Sequence, residues 1–236
     1  MLAVITPAYN AERHLRATVE RLLAALPELK AIFLVDDGSR DGTRAVAKAL
    51  AREHPAVTVI SRPANGGYGA AMKDGLAAAR RAGAQVVAGV HADGQYSPEA
   101  LPRLLEERAR RDLDVLQGSR IASGTARSGG MPLHKRAGNA FLNRLENGVL
   151  GLSLTDYHSG YLLYGPRALA QLPVERFSDS FDFDLEVLAA ARARAMRVGE
   201  APIPTHYGDE ISHLNVLTYG LRVLRVLWRY GRGHYA

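Results

Sequence analysis

The sequence predicts an α/β protein with a mainly parallel central sheet and helices on both faces. Short apolar runs that end in polar residues recur along the 236-residue chain, and segments with helical spacing separate them. The runs show no apolar–polar alternation, which is typical of strands buried on both faces. Strands that alternate with helices form βαβ units and therefore a parallel sheet. The length suits a single domain of this class.

Each element follows from its own pattern. Strands are predicted where apolar runs rich in β-branched residues occur, at 2–6, 31–36, 57–60, 84–90, 114–118, 159–165 and 195–203. Helices are predicted where apolar residues recur at helical spacing, at 11–25, 42–52, 69–82, 98–110, 137–150 and 181–193. The stretch 118–136 is rich in Gly, Ser and Arg and predicts a loop.

Composition limits the function classes. The chain has no cysteine, which excludes disulfides and thiolate chemistry, and its net charge of +6 favours anionic partners. Its start does not resemble a signal peptide, and no apolar run approaches the ~20 residues that span a bilayer, so we expect a soluble or peripheral protein. The basic residues are scattered and no aromatic–basic RNA motif occurs, which argues against nucleic acid as a partner.

Polar segments follow the predicted strands, at the edge where open parallel sheets bind ligands. They are TPAYN (6–10), DDGSRDGT (36–43), SRPANGGYGAA (61–71), HADGQ (91–95) and GSR (118–120). The first turn lacks the G-x-G-x-x-G pattern of dinucleotide folds, and no phosphate-loop motif occurs. Both of these nucleotide folds are therefore disfavoured.

The adjacent carboxylates Asp36 and Asp37 predict a ligand site. Like charges repel unless a ligand or a cation accepts them, and a base N–H and ribose hydroxyls would serve. For Ser39 and Asp41, a turn or a helix cap explains the residues better. The glycines of NGGYGAAMKDG either let a helix approach the sheet or face a diphosphate.

The segment HADGQ predicts either a cation site or an ordinary turn. If the segment stays extended, His91, Asp93 and Gln95 share one face at i, i+2 and i+4. Carboxylate and amide oxygens suit Mg²⁺ or Mn²⁺, and imidazole suits Mn²⁺ better than Mg²⁺.

Together these motifs resemble family 2 glycosyltransferases of the GT-A fold, in the family's order and spacing. They are PAYNAERHL, VDDGSRDGT, NGGYGAAMKDG, ADGQYSPE, GSR and DYHSGYLLY. The subgroup they resemble is the polyprenyl-phosphate (dolichyl-phosphate) mannosyl- and glucosyltransferases. The resemblance covers residues 2–213, and the set of motifs is specific although each one alone is not.

The resemblance implies a GT-A domain over 1–213 that transfers a hexose, with inversion, from an NDP-sugar of the GDP-mannose or UDP-glucose type to a polyprenyl phosphate. It also implies a divalent cation, Mn²⁺ or Mg²⁺, held by the segment of Asp93 and Gln95, to which the spacing adds His91 as a candidate ligand. The predicted nucleotide-sugar-binding residues are Pro7, Tyr9, Asn10, Asp36, Asp37, Asn65, Ala92, Asp93, Asp156 and Ser159. His91 stands where the family has Asp, so it either ligates the cation or contacts the nucleotide.

The expected catalytic residues are Asp93, Arg120, Asp184 and Glu186. Asp93 and Arg120 would stabilise the charge on the departing diphosphate. A hydroxyl acceptor needs a base, for which Asp182, Asp184 and Glu186 are candidates, whereas a phosphate acceptor needs no strong base. Asp182 and Glu186 share a helix face and Asp184 points elsewhere. The alternative is that these are solvated charges at a helix start.

Two segments bear on the acceptor. The predicted loop with Arg127, Lys135 and Arg136 either closes over an acceptor phosphate or is a surface loop. The C-terminal segment 214–236 predicts a basic amphipathic helix, which either lies on an anionic membrane or docks on the domain with its arginines in water. Its apolar stripe is Leu214, Leu217, Leu221, Leu224 and Trp228, and its arginines are Arg222, Arg225, Arg229 and Arg232.

We therefore expect a cytoplasmic enzyme, peripheral on the inner face of the membrane if the helix binds lipid. Two alternatives stay open: transfer to a hydroxyl of a glycan, lipid or small molecule, and a catalytically weak protein that binds sugar nucleotides. A homo-oligomer is also left open.

Overall fold

The computed structural model describes residues 1–122, 133–204 and 216–236. Seven strands in these ranges form one sheet. They are β1 (Leu2–Ala8), β2 (Ile32–Asp36), β3 (Val57–Ser61), β4 (Val86–Gly89), β5 (Val115–Ser119), β6 (Leu162–Tyr164) and β7 (Val198–Pro202). The predicted α/β class with a mainly parallel sheet is confirmed.

The strand order is β3-β2-β1-β4-β6-β5-β7. Strand β1 pairs in parallel with β2 and β4, β2 with β3, and β5 with β7. The short strand β6 runs antiparallel between β4 and β5. The carboxyl ends of β1, β2, β4 and β5 therefore meet at one edge of the sheet, where the polar segments were expected.

Helices cover both faces of the sheet, as predicted. They are α1 (Leu15–Ala25), α2 (Thr43–Glu53), α3 (Tyr68–Arg81), α4 (Leu101–Arg110), α5 (Leu133–Leu150), α6 (Pro166–Gln171), α7 (Phe183–Ala193) and α8 (Val216–Gly231). Short 3-10 turns lie at Pro98–Ala100 and Val174–Arg176.

The side chains of β1 alternate between two apolar cores. Ala3 and Ile5 pack with residues of α3, α6, α7 and α8, whereas Val4 and Ala8 pack with residues of α1, α2 and α4. Burial on both faces explains why the strand sequences show no polar alternation.

Two sequence predictions need correction. The loop predicted over 118–136 is wrong at its end, because α5 begins at Leu133 and includes Lys135 and Arg136. The basic residues of its first turn gave no apolar periodicity from which the start of the helix could be predicted. The helix α6 had no prediction, because it spans only six residues and gives a weak periodic signal.

The C-terminal helix docks on the domain in an orientation that the sequence did not predict. Val223, Val226 and Leu227 are buried, whereas Leu221, Leu224 and Trp228 of the predicted stripe are exposed. The prediction that the arginines of a docked helix lie in water is wrong for Arg229, which is partly buried and pairs with Glu186, whereas Arg222 stays exposed while it pairs with Asp182. No helix in the described part of the chain is long and apolar enough to cross a membrane.

Candidate functional site

Asp36 ends β2 with its carboxylate almost fully buried. Its oxygens accept hydrogen bonds from the Ser39 backbone N–H at 3.0 Å and from Arg44 Nε at 2.7 Å. Burial raises the pKa of Asp36, but the hydrogen bonds from Ser39 and Arg44 outweigh it and hold the pKa below its ordinary value. Arg44, on α2, therefore balances part of the negative charge for which we expected a ligand.

Asp37 ties the glycine loop to the end of β2. Its two oxygens accept the backbone N–H groups of Gly66 and Gly67, each at 2.9 Å, and Arg62 Nε lies 2.8 Å from Oδ1. Gly67 has a φ of 99°, in the left-handed region that favours glycine, and α3 starts at the next residue. Asp37 therefore positions the start of α3 as well as lining the edge.

An exposed aromatic ring stands at the same edge. Tyr9 follows β1 directly and is 43% exposed, so its face is available to a planar ligand. Pro7 lies within β1, and Asn10 accepts the Arg40 backbone N–H at 2.9 Å, which holds the turn after β2 against the end of β1. Asn65 is exposed in the glycine loop. The structure thus brings the predicted nucleoside residues together.

The segment 91–95 turns rather than staying extended, so the condition for a shared strand face is not met. The Gln95 backbone N–H donates to Asp93 Oδ1 at 3.0 Å, and Gly94 has a φ of 75°. Asp93 Oδ2 lies 3.9 Å from His91 Nδ1, and the Asp93 side chain is 38% exposed. Ala92 is buried in the core, so only its backbone can reach a ligand.

His91 lies in an aromatic pocket between Tyr68 and Tyr96, at ring-centroid distances of 4.9 and 5.3 Å. Burial lowers the pKa of His91, and the opposing effect of Asp93 does not restore it, so the imidazole is neutral at neutral pH. Gly160 is required beside it: its φ is 69°, and a Cβ there would lie 2.7 Å from His91 Nε2.

Asp184, on α7, lies next to Tyr68 and Gly160, the same residues that adjoin His91. Its Oδ2 accepts the Tyr68 hydroxyl at 2.9 Å, and a Cβ on Gly160 would lie 3.5 Å from the same oxygen. Burial raises the pKa of Asp184 to about 7, although the hydrogen bond from Tyr68 opposes the shift. Asp184 Oδ1 has no hydrogen-bond partner among the described residues. Tyr68 and Gly160 therefore join Asp184 to the His91 segment.

Arg120 and Asp156 form a buried ion pair beside β5. Arg120 Nε and Nη2 donate to the two carboxylate oxygens at 2.7 and 2.9 Å, and Nη2 also donates to the His158 carbonyl. Burial raises the pKa of Asp156, but Arg120 outweighs this and holds the pKa below its ordinary value. The Ser159 hydroxyl is fully buried and accepts a hydrogen bond from Gln117, which gives it a structural contact.

Comparison with known proteins decides the family. A family model described as glycosyl transferase family 2 matches residues 3–172. The chain belongs to glycosyltransferase family 2. It is 33% identical over 200 residues to an undecaprenyl-phosphate mannosyltransferase of Micrococcus luteus, covering 84% of this chain and 81% of that one.

Further relatives agree with this assignment. A polyprenol monophosphomannose synthase of Mycolicibacterium smegmatis is 33% identical over 203 residues, covering 85% of this chain and 75% of that one. The crystal structure of glucosyl-3-phosphoglycerate synthase from Mycobacterium tuberculosis, in complex with Mn²⁺, UDP and phosphoglyceric acid, superposes with a TM-score of 0.70. That structure is 18% identical and covers 98% of this chain and 78% of its own. The predicted GT-A fold is confirmed.

The donor atoms of this glycosyltransferase fit a divalent cation that a substrate helps to bind. Within residues 1–122, 133–204 and 216–236, no three acidic or histidine side chains form a closed metal site. Asp93 nevertheless offers a partly exposed carboxylate beside the neutral imidazole of His91. Such a pair suits a cation that takes its remaining ligands from phosphate oxygens and water. The side chain of Gln95 stays a predicted ligand.

The three acidic residues at the start of α7 have different surroundings. Glu186 accepts hydrogen bonds from Arg229 and Tyr235, and Asp182 accepts one from Arg222 at 3.1 Å. These two carboxylates attach the C-terminal segment, whereas Asp184 faces the strand-end edge. The geometry therefore favours Asp184 over Glu186 as a group that reaches substrate.

The predicted acceptor loop lies only partly within the described residues. Arg127 lies outside the described residues. Lys135 and Arg136 belong to the first turn of α5, and the structure does not describe their side chains. The expectation of a basic loop over the acceptor is therefore corrected to a basic helix start for these two residues.

Sequence reasoning missed Tyr68, which connects Asp184 to His91. Its signal was present: an aromatic hydroxyl at the first residue of a helix, directly after a glycine loop that was expected to face a ligand. The contact joins residues 116 positions apart, so the sequence alone could not identify its partner.

Proposed function

We propose that this glycosyltransferase transfers a hexose from an NDP-sugar to a polyprenyl phosphate, with inversion at the anomeric carbon and with the help of a divalent cation. The observation that carries the proposal is the 33% identity, over more than four fifths of the chain, to relatives named for transfer to undecaprenyl phosphate and polyprenol phosphate. The grouping of the strand-end residues around one edge supports it.

On the donor side, Tyr9 would stack on the base, and Asp36 and Asp37 would accept hydrogen bonds from the nucleoside. Arg120 would neutralise the diphosphate, with Asp156 holding its guanidinium in place. Charge develops on the diphosphate as the bond to the sugar breaks, so a fixed cationic group at this point lowers the barrier.

Asp93 and His91 would hold the cation, for which imidazole favours Mn²⁺ over Mg²⁺. When bound, the cation supplies Lewis-acid stabilisation of the leaving diphosphate. His91 can contribute its Nδ1 because its burial keeps the ring neutral. Gly160 lets the ring occupy this place.

Asp184 would face the acceptor, since its Oδ1 has no hydrogen-bond partner among the described residues and Tyr68 links it to the His91 segment. A polyprenyl phosphate is already an anion near neutral pH and needs no strong base. Asp184, with its pKa near 7, is largely uncharged in mildly acidic solution and does not repel such an acceptor. The same pKa also suits a general base for a hydroxyl acceptor, so transfer to a hydroxyl is the second candidate function.

The outer face of α8 supports a lipid-linked acceptor. Leu221, Leu224 and Trp228 are exposed on it, and Arg232 lies over the Trp228 ring at 4.4 Å. Apolar side chains flanked by arginines suit an anionic membrane surface. This arrangement would place the enzyme on the cytoplasmic face of the membrane, where it would meet its acceptor.

An acceptor comparison tests the proposal. Purified protein is incubated with NDP-sugars, Mn²⁺ and either undecaprenyl phosphate or undecaprenol, and lipid-linked sugar is extracted. The proposal expects an acid-labile, phosphatase-insensitive product from the phosphate only. A product from undecaprenol alone, or from soluble acceptors alone, would support the second candidate instead.

A further comparison addresses the non-catalytic alternative. Donor hydrolysis and transfer are measured for the wild type and for Asp93→Ala. Equal inertness of the two proteins, together with retained nucleotide binding, would leave a sugar-nucleotide-binding protein as the function.

A further inference from the structure

A buried polar cluster adjoins the ion pair of Arg120 and Asp156. Glu146, on α5, is fully buried, and its Oε2 lies 3.4 Å from His158 Nε2. The other ring nitrogen of His158 hydrogen-bonds the Tyr219 hydroxyl of α8 at 2.8 Å. Three separate parts of the chain thus contribute one polar group each to an apolar region.

Burial of these polar groups destabilises the folded state unless they form hydrogen bonds with one another. Neither carboxyl oxygen of Glu146 has a well-aligned hydrogen bond among the described residues, and neither does His158 Nε2. A buried polar group without a partner costs ~1–3 kcal/mol, so the short approach of these two groups is favourable once they align. A proton on Nε2 then points at Glu146, and Nδ1 accepts the Tyr219 hydroxyl proton.

The backbone of His158 connects this cluster to Arg120. The His158 carbonyl accepts from Arg120 Nη2 at 2.9 Å, and the His158 N–H donates to Asp156 Oδ1 at 3.1 Å. The ring and the backbone of one residue therefore contact both α8 and the buried ion pair. Contacts that fix the ring thus also restrain the backbone of His158, which holds Arg120 directly through its carbonyl and indirectly through Asp156.

Helix α5 holds the same segment at further points. Asn147 bonds both the N–H and the carbonyl of Leu154, at 2.9 and 2.8 Å, and accepts the Tyr157 hydroxyl at 2.8 Å. Asn143 bonds the Thr155 carbonyl. The segment that carries Asp156 and His158 is therefore fixed to the inner face of α5.

We infer that Glu146, His158 and Tyr219 form a positioning unit that orients Arg120 toward the donor diphosphate and links that orientation to α5 and α8. The inference rests on the proposed function, in which Arg120 binds the diphosphate. None of the three residues touches the substrate. Their removal should therefore weaken recognition of the diphosphate while leaving recognition of the nucleoside intact.

The test measures affinities of UDP and GDP against UMP and GMP, with Mn²⁺, by titration calorimetry. For the preferred base, Tyr219→Phe and Glu146→Gln should each lower the ratio of diphosphate to monophosphate affinity by ~3–10-fold, the size of one net hydrogen bond. Arg120→Gln should lower the ratio by ~10–100-fold, because a charged donor is lost.

Arg222→Gln is the matched control, because it loosens another attachment of α8, to Asp182, without touching His158. It should keep the wild-type ratio. A lowered ratio for Arg120→Gln with a wild-type ratio for both Tyr219→Phe and Glu146→Gln would overturn the inference, even if those variants melt at lower temperature. A wild-type ratio for Arg120→Gln would instead overturn the donor assignment on which the inference depends.

Discussion

The predicted nucleoside-binding residues and the proposed reacting centre lie at one edge of the sheet but are stabilised differently. Asp36 and Asp37 are buried and have partners within the protein, namely two arginines and the backbone N–H groups of a turn and a loop. At the reacting centre, Asp93 is 38% exposed and Asp184 Oδ1 has no partner among the described residues. The protein itself holds the carboxylates of the first region in place, whereas the second region has unused binding capacity that a ligand would use.

This difference distinguishes a structural role from a role in the reaction for an acidic residue at a strand end. Asp37 shapes the loop that precedes α3, so its loss should damage the fold. Asp93 makes few contacts, so its loss should damage only the reaction.

Asp37→Ala should destabilise the fold by ~3–5 kcal/mol, because Arg62 and two loop N–H groups lose their buried partner. Chemical denaturation measures this free energy of unfolding. Asp37→Asn retains one acceptor and should be less destabilised. A loss below ~1 kcal/mol for the alanine variant would mean that Asp37 is not a structural residue.

Asp93→Ala should reduce the rate of sugar transfer by ~10²–10³, about 3–4 kcal/mol in the barrier, and should leave the unfolding free energy nearly unchanged. Initial rates and melting curves on the same samples check both parts. Glu20→Ala, an exposed carboxylate on α1, is the control and should retain its activity. A stable Asp93→Ala enzyme with normal rates would remove Asp93 from the mechanism.

Asp184→Asn should change how stability depends on pH. In the folded protein the pKa of Asp184 is about 7, above its value of 3.8 in a model compound, so the folded state holds a proton that the unfolded state loses. The proton on Asp184 makes its full contribution to the unfolding free energy of the wild type below pH ~4. This contribution is lost as the pH rises through ~7. The stability of the Asn variant relative to wild type should therefore rise by ~2–3 kcal/mol between pH 5 and 8.

Unfolding curves of both proteins at several pH values measure this difference. The Tyr68 hydroxyl can still donate to the Asn side chain, so the hydrogen bond is retained. A difference between the two proteins that does not vary with pH would mean that Asp184 is ionised throughout this range.

His91→Asp should shift the metal preference from Mn²⁺ toward Mg²⁺ by ~10-fold, about 1.4 kcal/mol, because a carboxylate replaces an imidazole ligand. Rates at matched free metal concentrations check the shift. If both the preference and the pH dependence stay as in the wild type, His91 contacts the nucleotide rather than the cation.

Much of this architecture was predictable from local pattern. The strand runs and the rule that ligands bind beyond the carboxyl ends of parallel strands correctly placed Asp36, Asp93 and Arg120 at one edge. The contact between Tyr68 and Asp184 was not predictable, because it joins α3 and α7 across more than a hundred residues. It depends on how two helices pack, which periodicity does not determine.

The C-terminal helix illustrates a second limit. Its sequence contains two apolar faces, one with Leu221, Leu224 and Trp228 and one with Val223 and Val226. Packing against α5 and α7 decides which face is buried, and the valines are selected. Asp182, just before α7, and Glu186, within it, then pair with Arg222 and Arg229, of which only Arg229 is withdrawn from water.

Binding of nucleoside diphosphates to the wild-type protein, with and without Mn²⁺, is the decisive test of a donor site that a metal completes. If a metal completes the donor site, one nucleoside diphosphate should raise the melting temperature. This stabilisation should require Mn²⁺ and should be lost in Asp93→Ala. Equal stabilisation in the presence and absence of metal, or none by any nucleoside diphosphate, would contradict it.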